Sequence, residues 1–325
     1  MQVIEFQKFG DPSQWHIAER PPLKADRNNA VVRVEAASVN PSDVKNIAGR
    51  MSQTTLHSVP GRDYSGVVVD GPENWVGKGV WGTGGDVGFT RDGSHAQYIS
   101  VPNENLATKP ESLSHEQAGA VGVTFLTAWC GLMEYGRLQP GETLVVFGAA
   151  GGVGSAAVQM AKRIGARVVG IDRATPAPDS PTARLADLLL DAKPADLPAA
   201  VREFSSGRGA DVVLNAAGGP CFEIALGVLG HRGRQIEITA PSEPRVSFNL
   251  IKFYHNESQL LGLDPLKLDL AASARILEQI RKGFDEGAFY APVIARTLPL
   301  RDASEAYELV AHGERGRVVL DPHAK

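Results

Sequence analysis

The sequence predicts an α/β chain in two parts: a mostly-β first third, then strands alternating with helices around a parallel sheet. Three observations carry this reading. Residues 1 to about 115 hold short alternating or apolar runs at 31–36, 65–69 and 96–100, parted by Gly, Pro and Asp turns, as a compact β region requires. From about Gln117 the pattern changes to strand–helix alternation, which implies a parallel sheet. Residues 144–155, Leu-Val-Val-Phe-Gly-Ala-Ala-Gly-Gly-Val-Gly-Ser, join a short buried strand to a helix through a glycine-rich turn.

In chain order, Asn40-Pro41-Ser42-Asp43 reads as a helix start with Pro41 near the first helical position. After Gln139-Pro140-Gly141, strands are expected near 144–148, 167–172, 211–215 and 234–239. The helix opening at Val153 carries one apolar stripe of Val153, Ala156, Ala157, Met160, Ala161 and Ile164. Lys162 and Arg163 suit the negative end of its dipole, and Gly165 stops it. Pro176, Pro178 and Pro181 make 174–181 an exposed, stiff loop, and 185–204 supplies helical or short connecting segments. The tail holds a helix near 270–283, another at 303–311 and a last strand at 317–320. There is no internal repeat and no low-complexity segment.

The glycine turn has a chemical meaning. Its pattern is A-x-G-x-x-G from Ala149, preceded by Gly148. A strand before it, an amphipathic helix after it and an acid, Asp172, closing the second strand make a unit suited to a dinucleotide. The backbone N–H groups of Ala150, Gly151, Gly152 and Val153 lie at the helix N-terminus, where a pyrophosphate is favoured. Asp172 favours NAD(H), since it accepts from both ribose hydroxyls and repels a 2′-phosphate. The next residue, Arg173, favours NADP(H), since a guanidinium clamps a 2′-phosphate. Either cofactor form stays open.

Composition bounds the rest. A chain of 325 residues suggests two domains, and 43% hydrophobic with 22% charged residues is ordinary globular composition. A net charge of −4 favours neither nucleic acid nor an anionic membrane. No apolar run approaches the ~20 residues of a membrane span. The first residues lack a basic region followed by a hydrophobic one, so no secretory signal is expected. Cys130 and Cys221, each in an apolar segment, read as small core residues of a cytoplasmic chain without a disulfide framework.

Taken together, several segments resemble one family. They are Ser38-Val39-Asn40-Pro41-Ser42-Asp43, Pro60-Gly61-Arg62-Asp63-Tyr64-Ser65-Gly66, 122–129, the glycine turn, 207–215 and Gly316-Arg317-Val318-Val319-Leu320. Along nearly its whole length the chain resembles the zinc-independent medium-chain dehydrogenase/reductase superfamily, closest to the quinone oxidoreductase (zeta-crystallin-like) group. The resemblance implies a GroES-like β domain over residues 1–117, completed by 264–325, and a Rossmann NAD(P)-binding domain over 118–263. It also implies a cleft where they meet and a homodimer that extends the Rossmann sheet through the strand near 234–239, with Ile236 and Ile238 on its edge.

Zinc-dependent relatives keep a Cys where this chain has Asn40, and Gly-His-Glu where it has Gly61-Arg62-Asp63. Catalytic zinc needs three protein ligands, and of these residues only Asp63 suits it. Residues 80–105 hold no cysteine, so the four-cysteine structural lobe is missing as well. His57, His95 and His115 read as surface or core groups, so no zinc is expected. Without a Lewis acid, alcohol oxidation loses its usual stabilisation of an alkoxide. Hydride delivery to a quinone or an α,β-unsaturated carbonyl survives, because the developing charge is delocalised onto oxygen.

Asn40 is the first choice as donor to that oxygen, since the resembling enzymes keep Asn there. Asp43, Arg62 and Tyr64 come from the same two segments as candidates to line the cleft. Asp43 has an alternative role at a helix N-terminus, and Arg62 in a buried ion pair with Asp63. Enoyl thioester reductases that share Asn-Pro-Ser-Asp carry a proton-donating Tyr where this chain has Met51, which cannot donate. The resemblance places Thr124 near the nicotinamide, and Asn215 and Ala217 at a strand end that meets the cofactor. It also brings Arg317 to the cofactor, with a cap, a turn or a solvated charge as the respective alternatives. The functional expectation is an NAD(P)H-dependent reductase of a small quinone or enone; the alternative is a cofactor-binding, redox-sensing or structural protein with little turnover.

Overall fold

A computed structural model describes residues 1–10, 15–51, 53–56, 58–193, 196–240 and 244–324, which leaves His57 outside the described residues. The strands are β1 Gln2–Phe6, β2 Trp15–Glu19, β3 Asn29–Val39, β4 Tyr64–Asp70, β5 Gly79–Gly82, β6 Tyr98–Pro102, β7 Ala107–Thr108, β8 Thr143–Phe147, β9 Arg167–Asp172, β10 Leu188–Asp191, β11 Ala210–Asn215, β12 Leu229–Glu237, β13 Gln259–Gly262, β14 Ile294–Pro299 and β15 Arg317–Asp321. The helices are α1 Pro41–Ile47, α2 His115–Gly119, α3 Gly122–Trp129, α4 Gly152–Ile164, α5 Pro181–Leu185, α6 Leu197–Phe204, α7 Phe222–Gly227, α8 Leu250–His255, α9 Leu270–Asp285 and α10 Ala303–Ala311. They fall into two compact units. The first holds Met1–Leu126, Pro265–Gly287 and Ala291–Lys325, and the second Thr127–Asp264 and Ala288–Tyr290.

The first unit is built on a sheet in the order β14-β15-β3-β4-β5-β7, with β6 also paired to β3. β-Branched residues of β3 and its neighbours, among them Val32, Val34, Val68, Val80, Ile99 and Val101, form its core. The tail closes this sheet from the other side: β15 pairs antiparallel with β3, Val318 opposite Val39 and Val319 opposite Ser38. That register, continued by one residue, sets Arg317 opposite Asn40.

The second unit is a parallel sheet in the order β10-β9-β8-β11-β12-β13. Every residue of β8 is buried, as a central strand covered on both faces requires. The chain leaves β8 to one side for β9 and returns on the other as β11, so the carboxyl end of β8 is the topological switch point where such sheets bind ligands. Helix α4 starts one residue before the expected Val153 and ends where Gly165 takes a left-handed φ of 89°.

The sequence reading departs from the structure in definite places. The stretch 185–204 contains β10, paired to β9, between the last residue of α5 and α6. Its Leu188-Leu189-Leu190 lacks β-branched residues and so carries no local strand preference. Pro181 opens α5 instead of closing a loop. The strand near 234–239 begins earlier, at Leu229, and is not the sheet edge, because β13 pairs with it and Ile236 is buried opposite Leu261. Ile238 lies past its end. The two compact units divide within α3, between Leu126 and Thr127. The first turn of α3 packs on Asp63 of the first unit, and Gly131, just beyond α3, lies against Leu214 of the second. Among the described residues no helix is long and apolar enough to cross a membrane, and both cysteines are free thiols, Cys130 buried and Cys221 half-buried.

Candidate active site

In the first unit the candidate residues gather around a carboxylate that sequence reasoning considered only as a lone zinc ligand or an Arg62 partner. Asp63 is fully buried just before β4. Its Oδ2 accepts from Ser38 Oγ at 3.1 Å and from Asn40 Nδ2 at 3.0 Å, and lies 3.6 Å from Arg317 Nη2. Its Oδ1 accepts from Thr83 Oγ1 and, at 2.9 Å, from the Val123 N–H. A Cβ on Gly122 would lie 2.2 Å from that oxygen, so this close approach of α3 requires glycine. The sequence signal for this role is the Gly-Arg-Asp string itself, but nothing in it shows which acid–base pair forms.

Asn40 is 1% exposed and held by both ends of its amide: Oδ1 accepts from Arg317 Nη2 at 2.6 Å, while Nδ2 donates to Asp63. The same Nη2 donates to Ser38 Oγ at 2.7 Å, and Arg317 Nε is buried with no hydrogen-bond partner among the described residues. Arg317, expected at the cofactor or as a solvated strand-end charge, is therefore the buried counter-ion of Asp63. The Arg62–Asp63 pair, the alternative given for Arg62, is thus not required to neutralise Asp63. The Arg62 guanidinium lies 5.5 Å from the centre of the Phe89 ring and 3.5 Å from Ser42 Oγ.

Asp43 keeps its place at the start of α1, where its Oδ2 accepts the Asn40 N–H at 2.8 Å. Its Oδ1 is buried without a hydrogen-bond partner among the described residues. Burial pushes this carboxyl up to about 7; the positive charge of Arg62 and the Asn40 hydrogen bonds oppose the rise, and the Asp63 charge adds to it. Tyr64, next to Asp63 in the chain, is buried. Its ring belongs to the β core with Val34, Val80 and Ile99, and a Cβ on Gly82 would lie 2.3 Å from its hydroxyl. Thr124 Oγ1 donates to the Val121 C=O at 2.7 Å, a helix-start bond. His95 is buried, with Nδ1 2.7 Å from the Tyr307 hydroxyl and Nε2 3.3 Å from the Ser38 C=O, and burial pushes it down to about 4, so it stays neutral. His115 meets Ser65 Oγ at 2.8 Å.

In the second unit the glycine turn has the geometry of a phosphate seat. Gly148 takes φ 79°, and a Cβ on Gly154 would lie 2.1 Å from the Gly148 oxygen, so α4 approaches the turn as only glycine allows. The first helical bond is Ser155 N–H to Gly151 C=O at 2.8 Å, which leaves the Gly152 and Val153 N–H groups ahead of the helical ladder. The other two expected donors are engaged within the turn: Gly151 N–H bonds Gly148 C=O at 3.1 Å, and Ala150 N–H bonds Asp172 Oδ2 at 2.9 Å. Asp172 therefore ties the end of β9 to the turn, while Arg173 beside it is exposed. Asn215 is a turn organiser. Its Oδ1 accepts from the Ala217 and Gly218 N–H groups at 3.1 and 3.0 Å, and its Nδ2 reaches Glu237 at 2.9 Å. Ala217 contributes that backbone N–H to the same turn.

Comparison with known proteins agrees with this architecture. Residues 26–111 match the alcohol dehydrogenase GroES-like domain model, and residues 152–267 match the zinc-binding dehydrogenase model. The chain is 32% identical over 273 residues to a zinc-type alcohol dehydrogenase-like protein of Schizosaccharomyces pombe, covering 82% of this chain and 80% of that one. It is 25% identical over 330 residues to the quinone oxidoreductase of Pongo abelii, covering 98% and 97% of the two chains. Among solved structures, an NAD-dependent alcohol dehydrogenase superposes with a TM-score of 0.88 at 30% identity, covering 99% of each chain. The chain belongs to the medium-chain dehydrogenase/reductase superfamily. It is an NAD(P)H-dependent oxidoreductase of that type.

For a medium-chain dehydrogenase/reductase, two bound groups can be tested against the residues present. A dinucleotide fits: glycine is sterically required at Gly154, unladdered N–H groups stand at the start of α4, and an acid ends β9. Zinc does not fit the Asp63 cluster, where Asp63 is the one metal-type ligand and both its oxygens accept hydrogen bonds beside the Arg317 cation. Among the described residues no group of three His, Cys, Asp or Glu side chains is placed to hold a metal ion.

The Asp43 carboxyl generates a prediction. Its folded value of about 7 lies above the ordinary 3.8, so between those values the native state binds more protons than the unfolded chain, and stability falls as pH rises. The slope contributed is at most about 1.4 kcal/mol per pH unit. Asp43→Asn keeps an acceptor for the Asn40 N–H and removes the titration. Its melting temperature should gain on the wild type as pH rises across that window. A difference between the two proteins that stays constant with pH would refute the assignment.

Proposed function

We propose that this protein works without zinc and delivers hydride from NAD(P)H to a quinone or an α,β-unsaturated carbonyl. The observation that carries the reading is the Arg317 guanidinium, buried 3.6 Å from Asp63 among the residues that stand where zinc-dependent relatives keep ligands. The dinucleotide, when bound, supplies the hydride. The chain supplies a seat for the pyrophosphate at the Gly152 and Val153 N–H groups, and the Asn40 amide as donor to the acceptor's oxygen. A conjugated acceptor spreads its developing charge, so a fixed donor of this kind stabilises it without a Lewis acid. Met51 cannot protonate the product, so an acid role passes to water, to another residue, or to nothing.

The test is oxidation of NADPH and NADH in the presence of quinones, enones, simple ketones and aldehydes, with and without a chelator. Turnover is expected with the first two classes and unchanged by chelation. About one zinc per chain, with activity lost on its removal, would overturn the reading. Cofactor binding without turnover of any acceptor would instead favour a redox-sensing role.

Cofactor choice is assigned to the end of β9. An ionised carboxylate keeps acceptor capacity beyond its bond to Ala150, so Asp172 still serves the adenosine ribose. Asp172→Ala should weaken NADH and relieve repulsion of NADPH, and Arg173→Ala should weaken NADPH alone. A charge-assisted hydrogen bond contributes roughly 1.5–3 kcal/mol, about 10- to 150-fold in affinity. Because Arg173 is exposed, Asp172 should show the larger effect in cofactor-fluorescence titrations. If neither substitution moves the NADH-to-NADPH ratio about threefold, the adenosine is read elsewhere.

We also propose a homodimer formed through the parallel sheet, now at β13. This strand is the open edge of its sheet and carries Leu260, 40% exposed, in the same unit as exposed Leu250, Ile251 and Tyr254 of α8. An open apolar edge is an aggregation hazard unless covered. Leu260→Lys should shift the protein from dimer to monomer by light scattering at micromolar concentration. A wild-type monomer there would refute the assignment.

A further inference from the structure

We propose that Arg317 is a positioning residue that locks the Asn40 side chain as a hydrogen-bond donor to the acceptor's carbonyl oxygen. The catalytic part of this proposal rests on the reductase reading above. A primary amide can present oxygen or nitrogen to a substrate, since a half-turn about its last bond exchanges them. At Asn40 that half-turn is closed off by charge. The cation of Arg317 sits on Oδ1 at 2.6 Å, and the carboxylate of Asp63 accepts from Nδ2 at 3.0 Å. Turning the amide over would set its oxygen against a carboxylate and its NH2 against a guanidinium. The main chain is pinned as well, through the Asn40 N–H on Asp43 Oδ2 at 2.8 Å.

Of the two Nδ2 hydrogens one goes to Asp63 at 3.0 Å, which leaves a second. That second N–H is the atom assigned to the acceptor oxygen. Arg317 also acts on its strength. A cationic donor on the amide oxygen draws electron density from the nitrogen, so the remaining N–H becomes a better donor. The dipole is in place before charge develops and needs no reorganisation as hydride arrives. Arg317 reaches this position from β15, across the β15–β3 pairing that sets it opposite Asn40.

The test uses Arg317→Gln combined with Asp63→Asn, which removes both charges of the pair and leaves neither buried alone. In protein labelled with 15N at asparagine, the Asn40 NH2 signals are identified by their loss in Asn40→Ser. They should be well separated and slow to exchange in the wild type, then averaged and fast in the double variant. With an enone acceptor, kcat should fall roughly 100-fold, the scale of losing one oxyanion donor, while KM for NADPH stays within about twofold because the seat at α4 is untouched. Adding Asn40→Ser to the double variant should cost nothing more, since residues acting as a unit are not additive. A role confined to structure would not produce that non-additivity. Unchanged Asn40 signals in the double variant would overturn the proposal, and so would fully additive losses in kcat. If the wild type turns over no acceptor, the reductase reading fails, while the amide signals still judge whether Arg317 holds Asn40. Should the double variant not fold, Arg317→Lys keeps the cation without the planar fork and is held to the same readouts.

Discussion

The first unit depends on satisfying one buried carboxylate. Asp63 has no exposure to water, and a charge so placed is tolerable only with a counter-ion and hydrogen bonds to its oxygens. Ser38 and Asn40 come from β3 and its end, Thr83 from just past β5, Val123 from the first turn of α3, and Arg317 from β15. Loss of the counter-ion alone would cost about 3–5 kcal/mol, a large part of the stability of any domain. The constraint reaches into residues with no polar group of their own. Gly122 has room for no side chain because Asp63 lies against it.

The second unit solves its problem with backbone. Its polar task is to present N–H groups at the end of a buried strand, and it does so by glycines that let α4 approach the turn. Asp172 serves that task from the end of β9, since it holds the turn through Ala150. Asn215 does the same for the neighbouring turn, and Glu237 beside it is pushed above its ordinary value chiefly by burial.

Much of this was legible in the sequence where local pattern and tertiary demand agree. Helix α4 shows its apolar stripe, its basic last turn and its Gly165 stop, and α10 its bounds, because each is decided within a few turns of chain. Asn40 and Asp43 were visible through the Asn-Pro-Ser-Asp string. The half-exposed strands were not: β10 is a run of leucines that suits helix as well, and β13 is a short edge strand of Gln-Leu-Leu-Gly. The partner of Asp63 was not legible either. Arg62 is adjacent in sequence and Arg317 remote, and only the β15–β3 register decides between them. Tyr64 shows the same limit of adjacency: it neighbours Asp63 in the chain, yet its ring packs in the β core, since successive strand residues point to opposite faces.

The place of Arg317 has a consequence for the order of events on the ribosome. It meets Asn40 across 277 positions of sequence. At about 5–20 residues per second, that separation corresponds to about 14–55 s of synthesis. For most of that interval β3, β4 and Asp63 exist without the strand that completes them. A nascent first unit is therefore held back from its final packing by its own carboxylate, while the intervening parallel sheet, contiguous in sequence apart from Ala288–Tyr290, has the time to form first.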